Sequence, residues 1–262
     1  MMAQTIYVQD LGLIPYTDAW AYQEQLLHEN LQAKMAFYAS QKQLLAQGKS
    51  TASPLQANTR HFVLLCEHLP VITLGKNGRE SHLLAHPEYL RQMGIEYIHT
   101  NRGGDITFHG PGQLVAYPIL DLEKCFTDIG KYMRLLEQSV IDLLLEYGIS
   151  ATRSPGETGV WLDPDIPHRA RKICAMGVRC SRWITMHGLA LNVNTDLHYF
   201  DYIIPCGIQG KQVTSMQRET GKAIPLAEIK SKWLKHFCKR LSEAIDDDVL
   251  PVSLSAAQEM HH

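Results

Sequence analysis

Apolar positions recur at helical spacing in three stretches of the chain. Trp20, Leu27, Leu31, Met35 and Tyr38 share one face of a helix expected over about 17–46. Gln23, Glu24, Glu29, Lys34 and Lys42 fall on its other face. Tyr16-Thr17-Asp18 supplies a cap with an acid in the first turn. Met133, Leu136, Val140 and Leu144 set a second helix over about 128–147, capped by Asp128 and stopped by Gly148. Leu226, Ile229, Trp233, Phe237 and Leu241 set a third over about 225–245.

Between the helices lie short apolar runs that read as strands: 5–9, 61–67, 71–74, 95–100, 105–108, 114–120, 158–162, 171–178 and 187–193. Residues 61–67 and 71–74, around Leu69-Pro70, predict a hairpin of buried strands. Ser181-Arg182 predicts the turn between 171–178 and 187–193. Residues 76–79 form a turn, and Ser81 caps a short helix carrying His82 and His86 at i and i+4. That spacing suits a metal but lacks a third ligand, so a half-exposed helix face is the expectation. Residues 49–60 make a polar loop, 196–202 one helical turn, and Pro205-Cys206-Gly207 a sharp turn. Strands and helices mix without regular β-α-β alternation. The expected fold class is therefore α+β, a mixed sheet with packed helices. One domain over 1–262 is expected: a core of about 5–222, the last helix, and a flexible acidic tail from about 246.

Charge narrows the function classes. Lys plus Arg number 25 and Asp plus Glu 27, a net −2, which gives no global case for nucleic acid or a membrane surface. No apolar run approaches the roughly 18 to 20 residues of a membrane span, and the first residues lack a secretory pattern. Six scattered cysteines without a C-x-x-C pair fit reduced, mostly buried thiols and a cytoplasmic setting. Residues 169–182 hold Arg169, Arg171, Lys172, Arg179 and Arg182 without an acid; Lys230, Lys232, Lys235, Lys239 and Arg240 lie on the last helix. Such runs are solvated faces, or a dock for an acidic protein partner.

Candidate chemistry concentrates in four places. Residues 102–121 place a lone arginine and a histidine around two glycine turns, a hairpin or the wall of a pocket. Cys206 sits between Pro205 and Gly207, in a turn that can present a thiol to a cavity. Lys172 begins an apolar run, where it either snorkels to solvent or enters a pocket; beside a thiolate its ammonium would stabilise the anion. His109 and His187 both precede glycines and suit a base or a hydrogen-bond donor. There is no Walker loop and no G-x-G-x-x-G after a strand.

The motifs Arg102-Gly-Gly-Asp-Ile-Thr-Phe-His-Gly-Pro-Gly-Gln113, Lys172-Ile-Cys-Ala-Met-Gly-Val-Arg179, His187-Gly-Leu-Ala-Leu-Asn-Val193 and Pro205-Cys-Gly-Ile208 resemble, in this order, the lipoyl(octanoyl) transferases, the B-type lipoate–protein ligases. The resemblance covers roughly 5–220. It implies a fold like the catalytic domain of biotin and lipoate ligases. It also implies transfer of octanoyl from acyl carrier protein, through an enzyme thioester, to a lysine of lipoyl domains. Those domains belong to 2-oxo acid dehydrogenase complexes and the glycine cleavage H protein. No cofactor and no metal are implied. Position by position, Cys206 is the nucleophile and Lys172 the lysine that lowers its pKa. The acyl-binding residues are Arg102, Gly103, Gly104, Asp105, Ile106, Thr107, Phe108 and His109, then Ala175, Met176 and Gly177, then Gly188, Leu189 and Ala190. Exposed backbone NH groups at Gly103, Gly104, Gly177 and Gly188 would suit an oxyanion. The first helix and its loop are longer than the family needs, and Asp105 and Met176 are variable positions of their motifs. An ATP-dependent ligase on the same fold, or a non-catalytic acyl- or carrier-protein-binding module, would need no reactive Cys206.

Overall fold

The computed structural model describes residues 5–48, 56–205, 212–245 and 253–256. In chain order the elements are β1 (Thr5–Ile14), α1 (Tyr16–Ala46), β2 (His61–His68), β3 (Val71–Leu74), α2 (Pro87–Gln92), β4 (Glu96–His99), β5 (Ile106–His109), β6 (Gln113–Ile119), α3 (Ile129–Leu145), β7 (Thr152–Ser154), β8 (Glu157–Leu162), β9 (Arg171–Ser181), β10 (Ile184–Asn192), β11 (Gln212–Val213), α4 (Met216–Thr220), α5 (Leu226–Ala244) and β12 (Ser253–Ala256). Short 3-10 turns occupy Glu80–His82, Leu122–Lys124 and Leu197–Tyr202.

A nine-stranded mixed sheet runs β12-β1-β2-β6-β10-β9-β8-β7, with β11 added to β9. A second sheet of three strands runs β4-β3-β5. Covering the large sheet on both faces explains why its central strands read as unbroken apolar runs. Val63, Leu65, Leu114 and Ala116 point to one face, where α3 and α5 bring Leu136, Val140, Trp233 and Phe237. Phe62, Leu64, Cys66, Val115, Tyr117 and Ile119 point to the other, under Ala19, Leu26 and Leu27 of α1. The period of two along each strand divides one sequence run between two cores. The small sheet packs a third cluster, Ile72, Leu90, Ile106, Phe108 and Phe200. Among the described residues no helix is long and apolar enough to cross a membrane.

Several local expectations change in the folded chain. α1 begins after Pro15, with no side-chain cap, although Asp18 does stand in its first turn. Its buried face is Ala19, Gln23, Leu26, Leu27, Asn30 and Lys34, while Met35 and Tyr38 are 55% and 52% exposed. The polar members are buried because each finds a partner. Asn30 exchanges two hydrogen bonds with the Arg60 backbone, and Lys34 Nζ reaches Asp121 at 2.7 Å, Glu123 at 2.9 Å and the Arg182 carbonyl at 2.8 Å. β2 and β3 are not a hairpin: β2 joins β1 and β6 in the large sheet, and β3 joins β4 and β5 in the small one. His82 and His86 do not share a helix. His82 ends a 3-10 turn, and His86 caps α2 by accepting from Glu88 N. The β9–β10 turn is centred on Arg182 and Trp183, φ 46° and 65°, a left-handed pair that matches the twist of a two-residue hairpin. The expected cap at Asp128, with Lys131 N, is present, and Asp196 also caps its 3-10 turn by accepting from His198 N. The tail expectation falls on 246–262; of these, the described 253–256 pair in parallel with β1.

Candidate active site

One cavity of about 410 Å³ lies between the large sheet, the first turn of α1 and the chain leading into β5. Its floor is the sheet face. Ala175 pairs with Ala190 across β9 and β10, and Gly177 pairs with Gly188 in the same ladder. The small side chains of Ala175 and Ala190 leave a trough that larger ones would fill, whereas Gly177 and Gly188 admit backbone, since a Cβ at Gly188 would lie 2.2 Å from the Ala116 carbonyl oxygen. Met176, Leu189, Val115 and Tyr117 also line it. The opposite wall carries Arg102, Gly104, Asp105, Ile106, Thr107 and His109. This wall sits directly on the sheet: a Cβ at Gly177 would lie 2.4 Å from the Gly103 carbonyl oxygen. Gly104, φ +88°, takes the left-handed conformation that turns the wall back toward β5.

Arg102 shapes that wall. Its guanidinium donates to the carbonyls of Thr73 at 2.8 Å, Gly103 at 3.1 Å and Asp105 at 2.7 Å, so the arginine clamps its own turn. It also donates to Thr73 Oγ1 at 2.9 Å. Because arginine only donates, the directions of the next bonds follow. Thr73 donates to His109 Nε2 (3.3 Å), His109 Nδ1–H to Gln113 Oε1 (2.8 Å), Gln113 Nε2 to Asn192 Oδ1 (2.9 Å), and Asn192 Nδ2 to the Thr214 carbonyl (3.0 Å). Thr214 N donates to the Lys172 carbonyl at 2.9 Å. A single polar chain thus runs from the cavity wall to the strand bearing Lys172.

Both nitrogens of His109 are engaged in this chain, and burial pushes its pKa well below the ordinary histidine range. It is a neutral strut, not the base the sequence allowed. His187 is also held neutral, its pKa pushed down to about 3 by burial and by Arg102 and Arg179. Its Nε2–H donates to Asn101 Oδ1 at 2.7 Å, and its backbone N–H donates to Gln23 Oε1 at 2.9 Å. Those bonds hold an unusual φ of 58° at His187. The inner end of the cavity is aromatic. Tyr16 stacks on His109, ring centroids 5.8 Å apart, and Tyr117 donates from its hydroxyl to His68 Nε2 at 2.7 Å. Burial raises the Tyr16 pKa to about 12 and keeps that hydroxyl protonated.

Lys172 is only 7% exposed and lines the cavity, so it does not snorkel. It lies between Trp161 of β8 and Val213 of β11 in the strand register. A narrow crevice bordered by Lys172, Thr107, Ala175, Ala190 and Pro205 opens beside the cavity. Cys206, the residue after Pro205, lies outside the described residues, as do Gly207 and Ile208. Burial disfavours the thiolate at each of the five described thiols. Burial raises the pKa of Cys66, Cys174 and Cys180, and pushes Cys125 to about 12 and Cys238 to about 11.

The structure brings most of the expected acyl-binding residues to this one cavity. Two do not line it. Phe108 turns away and stacks on Tyr199 at 4.5 Å. Gly103 lies behind the wall, its N–H donated to the Val178 carbonyl at 3.0 Å, so that NH is not available to an oxyanion. Tyr16, Asn77, Val115, Tyr117 and residues 156–158 line the cavity without having been singled out. Residues 114–120 are apolar throughout, so nothing within the run set Val115 and Tyr117 apart from their neighbours. Nothing local marked Tyr16. The basic stretch 169–182 is largely neutralised within the chain: Arg171 pairs with Asp163 and Glu219, Arg169 with Asp163, and Arg179 with Glu24.

Comparison with known proteins identifies the family. A family model described as the lipoyl protein ligase A/B catalytic domain matches residues 15–238. An octanoyltransferase of Christiangramia forsetii is 52% identical over 237 residues, spanning 90% of this chain and 95% of that relative. One of Cytophaga hutchinsonii is 46% identical over 234 residues, 89% and 91% of the two chains. Among solved structures, a bipartite lipoate protein ligase of Thermoplasma acidophilum superposes with a TM-score of 0.60, covering 99% of this chain and 87% of that one; at 14% identity the shared property is the fold. The family match across most of the chain, with relatives near half identity over nearly their full length, establishes that this chain belongs to the lipoyl protein ligase A/B family, among its octanoyltransferases.

Proposed function

We propose that the chain takes octanoyl from octanoyl-acyl carrier protein onto Cys206 and passes it to a lysine of a lipoyl domain. The observation that carries this reading is the shared crevice of Lys172 and Pro205, which opens beside the alanine and glycine trough. Lys172 and Pro205, the residue that precedes Cys206, border the same crevice, which supports the pairing of amine and thiol.

The chemistry runs in two displacements. The Cys206 thiolate attacks the carbonyl carbon of the donor thioester. The donor C–S bond breaks, and the carrier-protein thiolate leaves and takes a proton. The acceptor amine then attacks the enzyme thioester, an amide forms, and Cys206 leaves as thiolate while the amine gives up a proton. The cationic amine of Lys172 favours the thiolate at the start and at the end. Exchange of one thioester for another is nearly isoenergetic and amide formation is downhill, so no nucleotide is consumed. The acyl tail gains about 0.8 kcal/mol per buried methylene in the trough. Burial holds the five described thiols above the ordinary cysteine range, which supports Cys206 as nucleophile.

The test is intact mass spectrometry after mixing enzyme with octanoyl-carrier protein and no acceptor. One octanoyl group is expected on the wild type and none on Cys206→Ala. Acylation that persists in Cys206→Ala rules out the nucleophile assignment.

A further inference from the structure

The cavity wall and the segment that precedes Cys206 come from chain positions a hundred residues apart, yet one residue touches both. His82 Nδ1–H donates to Asp105 Oδ2 at 2.6 Å, and both side chains are largely shielded from solvent. Asp105 lines the cavity, and its other carboxylate oxygen accepts from Ile106 N at 2.7 Å. That carboxylate also sits so close to Gly78 that a Cβ there would lie 2.9 Å from it. The Asp105 side chain is therefore held on three sides, and His82 supplies the contact from outside the wall.

The backbone of His82 faces the other way. Ile204 N donates to the His82 carbonyl at 2.8 Å, Leu84 N donates to the Tyr202 carbonyl at 2.9 Å, and Leu83 bridges antiparallel to Ile203. Residues 82–84 are thus stitched to 202–204, and the chain reaches Pro205 one residue later.

We propose that His82 is a positioning residue for acyl transfer: its side chain holds the acyl-cavity wall at Asp105 while its backbone holds the segment that leads through Pro205 to Cys206. The inference rests on the Cys206 reading above. Its physical basis is that attack needs the acyl carbonyl and the thiol in a fixed relation, and a displacement of about 1 Å costs up to roughly 100-fold in rate. Substituting the side chain leaves the backbone bonds in place and releases the wall alone.

Three single variants and one double variant test it: His82→Leu, His82→Asn, Asp105→Ala, and His82→Leu combined with Asp105→Ala. Octanoylation by octanoyl-carrier protein is followed by quenched intact mass, with peptide mapping of the modified residue and thermal unfolding of each protein. His82→Leu is expected to slow acylation about 10- to 100-fold, chiefly in the maximal rate, with little change in the donor concentration for half-maximal rate. His82→Asn is expected to restore most of the rate, because its amide N–H sits near the position of Nδ1 and can donate to Asp105. The double variant of His82→Leu and Asp105→Ala is expected to be no slower than the slower single variant, as for two residues acting through one contact. Acylation of His82→Leu at the wild-type rate overturns the proposal. So does His82→Asn as slow as His82→Leu when both unfold at the wild-type temperature, or additive effects in the double variant. If the wild type carries octanoyl on a residue other than 206, the Cys206 reading falls and this inference with it. Wild-type modification at Cys206 with an indifferent His82→Leu removes the inference alone.

Discussion

Lys172 Nζ lies 4.6 Å from the centroid of the Trp161 ring, and the two residues are register partners across β9 and β8. The face of an aromatic ring attracts an ammonium group electrostatically. Trp161 therefore both walls the amine in and stabilises its charge, beside the crevice that reaches Pro205.

Removal of that amine should expose its role. Lys172→Met is expected to raise the apparent pKa of the Cys206 thiol by about one unit or more, read from the pH dependence of its alkylation rate. Trp161→Leu retains the amine but loses its platform, and should give a smaller shift, on the order of half a unit, since exposed to partly buried cation–π contacts contribute about 0.5–2 kcal/mol. An unchanged thiol titration in Lys172→Met removes Lys172 from the assigned role.

Filling the trough should change the acyl groups that fit. Ala190 is 4% exposed and pairs with Ala175 under the cavity. Ala190→Leu adds three carbons where the acyl tail would lie. At about 0.8 kcal/mol per displaced methylene, octanoyl transfer should fall roughly 10- to 100-fold. Transfer from a butanoyl donor should change little. The check is acyl-enzyme formation across donors of four to ten carbons; an equal loss for all lengths would show that the tail lies elsewhere.

Acid should destabilise the fold through its buried histidines. His61 and His68 have pKa values pushed down to about 3 and about 4, mainly by burial. In the unfolded chain they titrate near 6.5. Below that pH the unfolded chain binds protons that the folded chain refuses, so stability falls as pH drops from about 6.5 toward 4. Each such group contributes a slope of up to about 1.4 kcal/mol per pH unit in that window. His61→Asn should flatten the urea-unfolding free energy against pH between 6 and 4 relative to the wild type. An identical slope would contradict a neutral buried His61.

Loss of Lys34 should cost stability more than activity. Its Nζ touches Asp121, itself 1% exposed, and Glu123, and donates to the Arg182 carbonyl in the β9–β10 turn. Lys34→Met leaves Asp121 without its cationic partner, and about 3–5 kcal/mol of unfolding free energy should disappear. Denaturant titration measures it; a change under about 1 kcal/mol would mean that the remaining bonds to Asp121, from Thr59 Oγ1 and the Glu123 backbone, suffice.

Much of this protein is visible in its linear order. The second and third long helices, the strands, the glycine wall and the linked motifs all depend on spacings within about twenty residues, where chain geometry makes neighbours of i, i+2 and i+4. Those spacings are enough to recognise the α+β class, the segments that line the cavity, and the family. The buried face of α1 was not visible this way. Gln23 and Lys34 look solvent-facing because a polar group alone prefers water. Their burial becomes favourable once His187 N–H, 164 positions away, and the Arg182 carbonyl, 148 positions away, meet them. The same holds for His109. Its neighbours suggested a base, whereas Thr73 and Gln113 occupy both its nitrogens and burial keeps it neutral. Short-range periodicity records which way a side chain points. What it meets there, and hence whether it strains, titrates or holds a wall in place, depends on strands and helices that only the folded chain brings together.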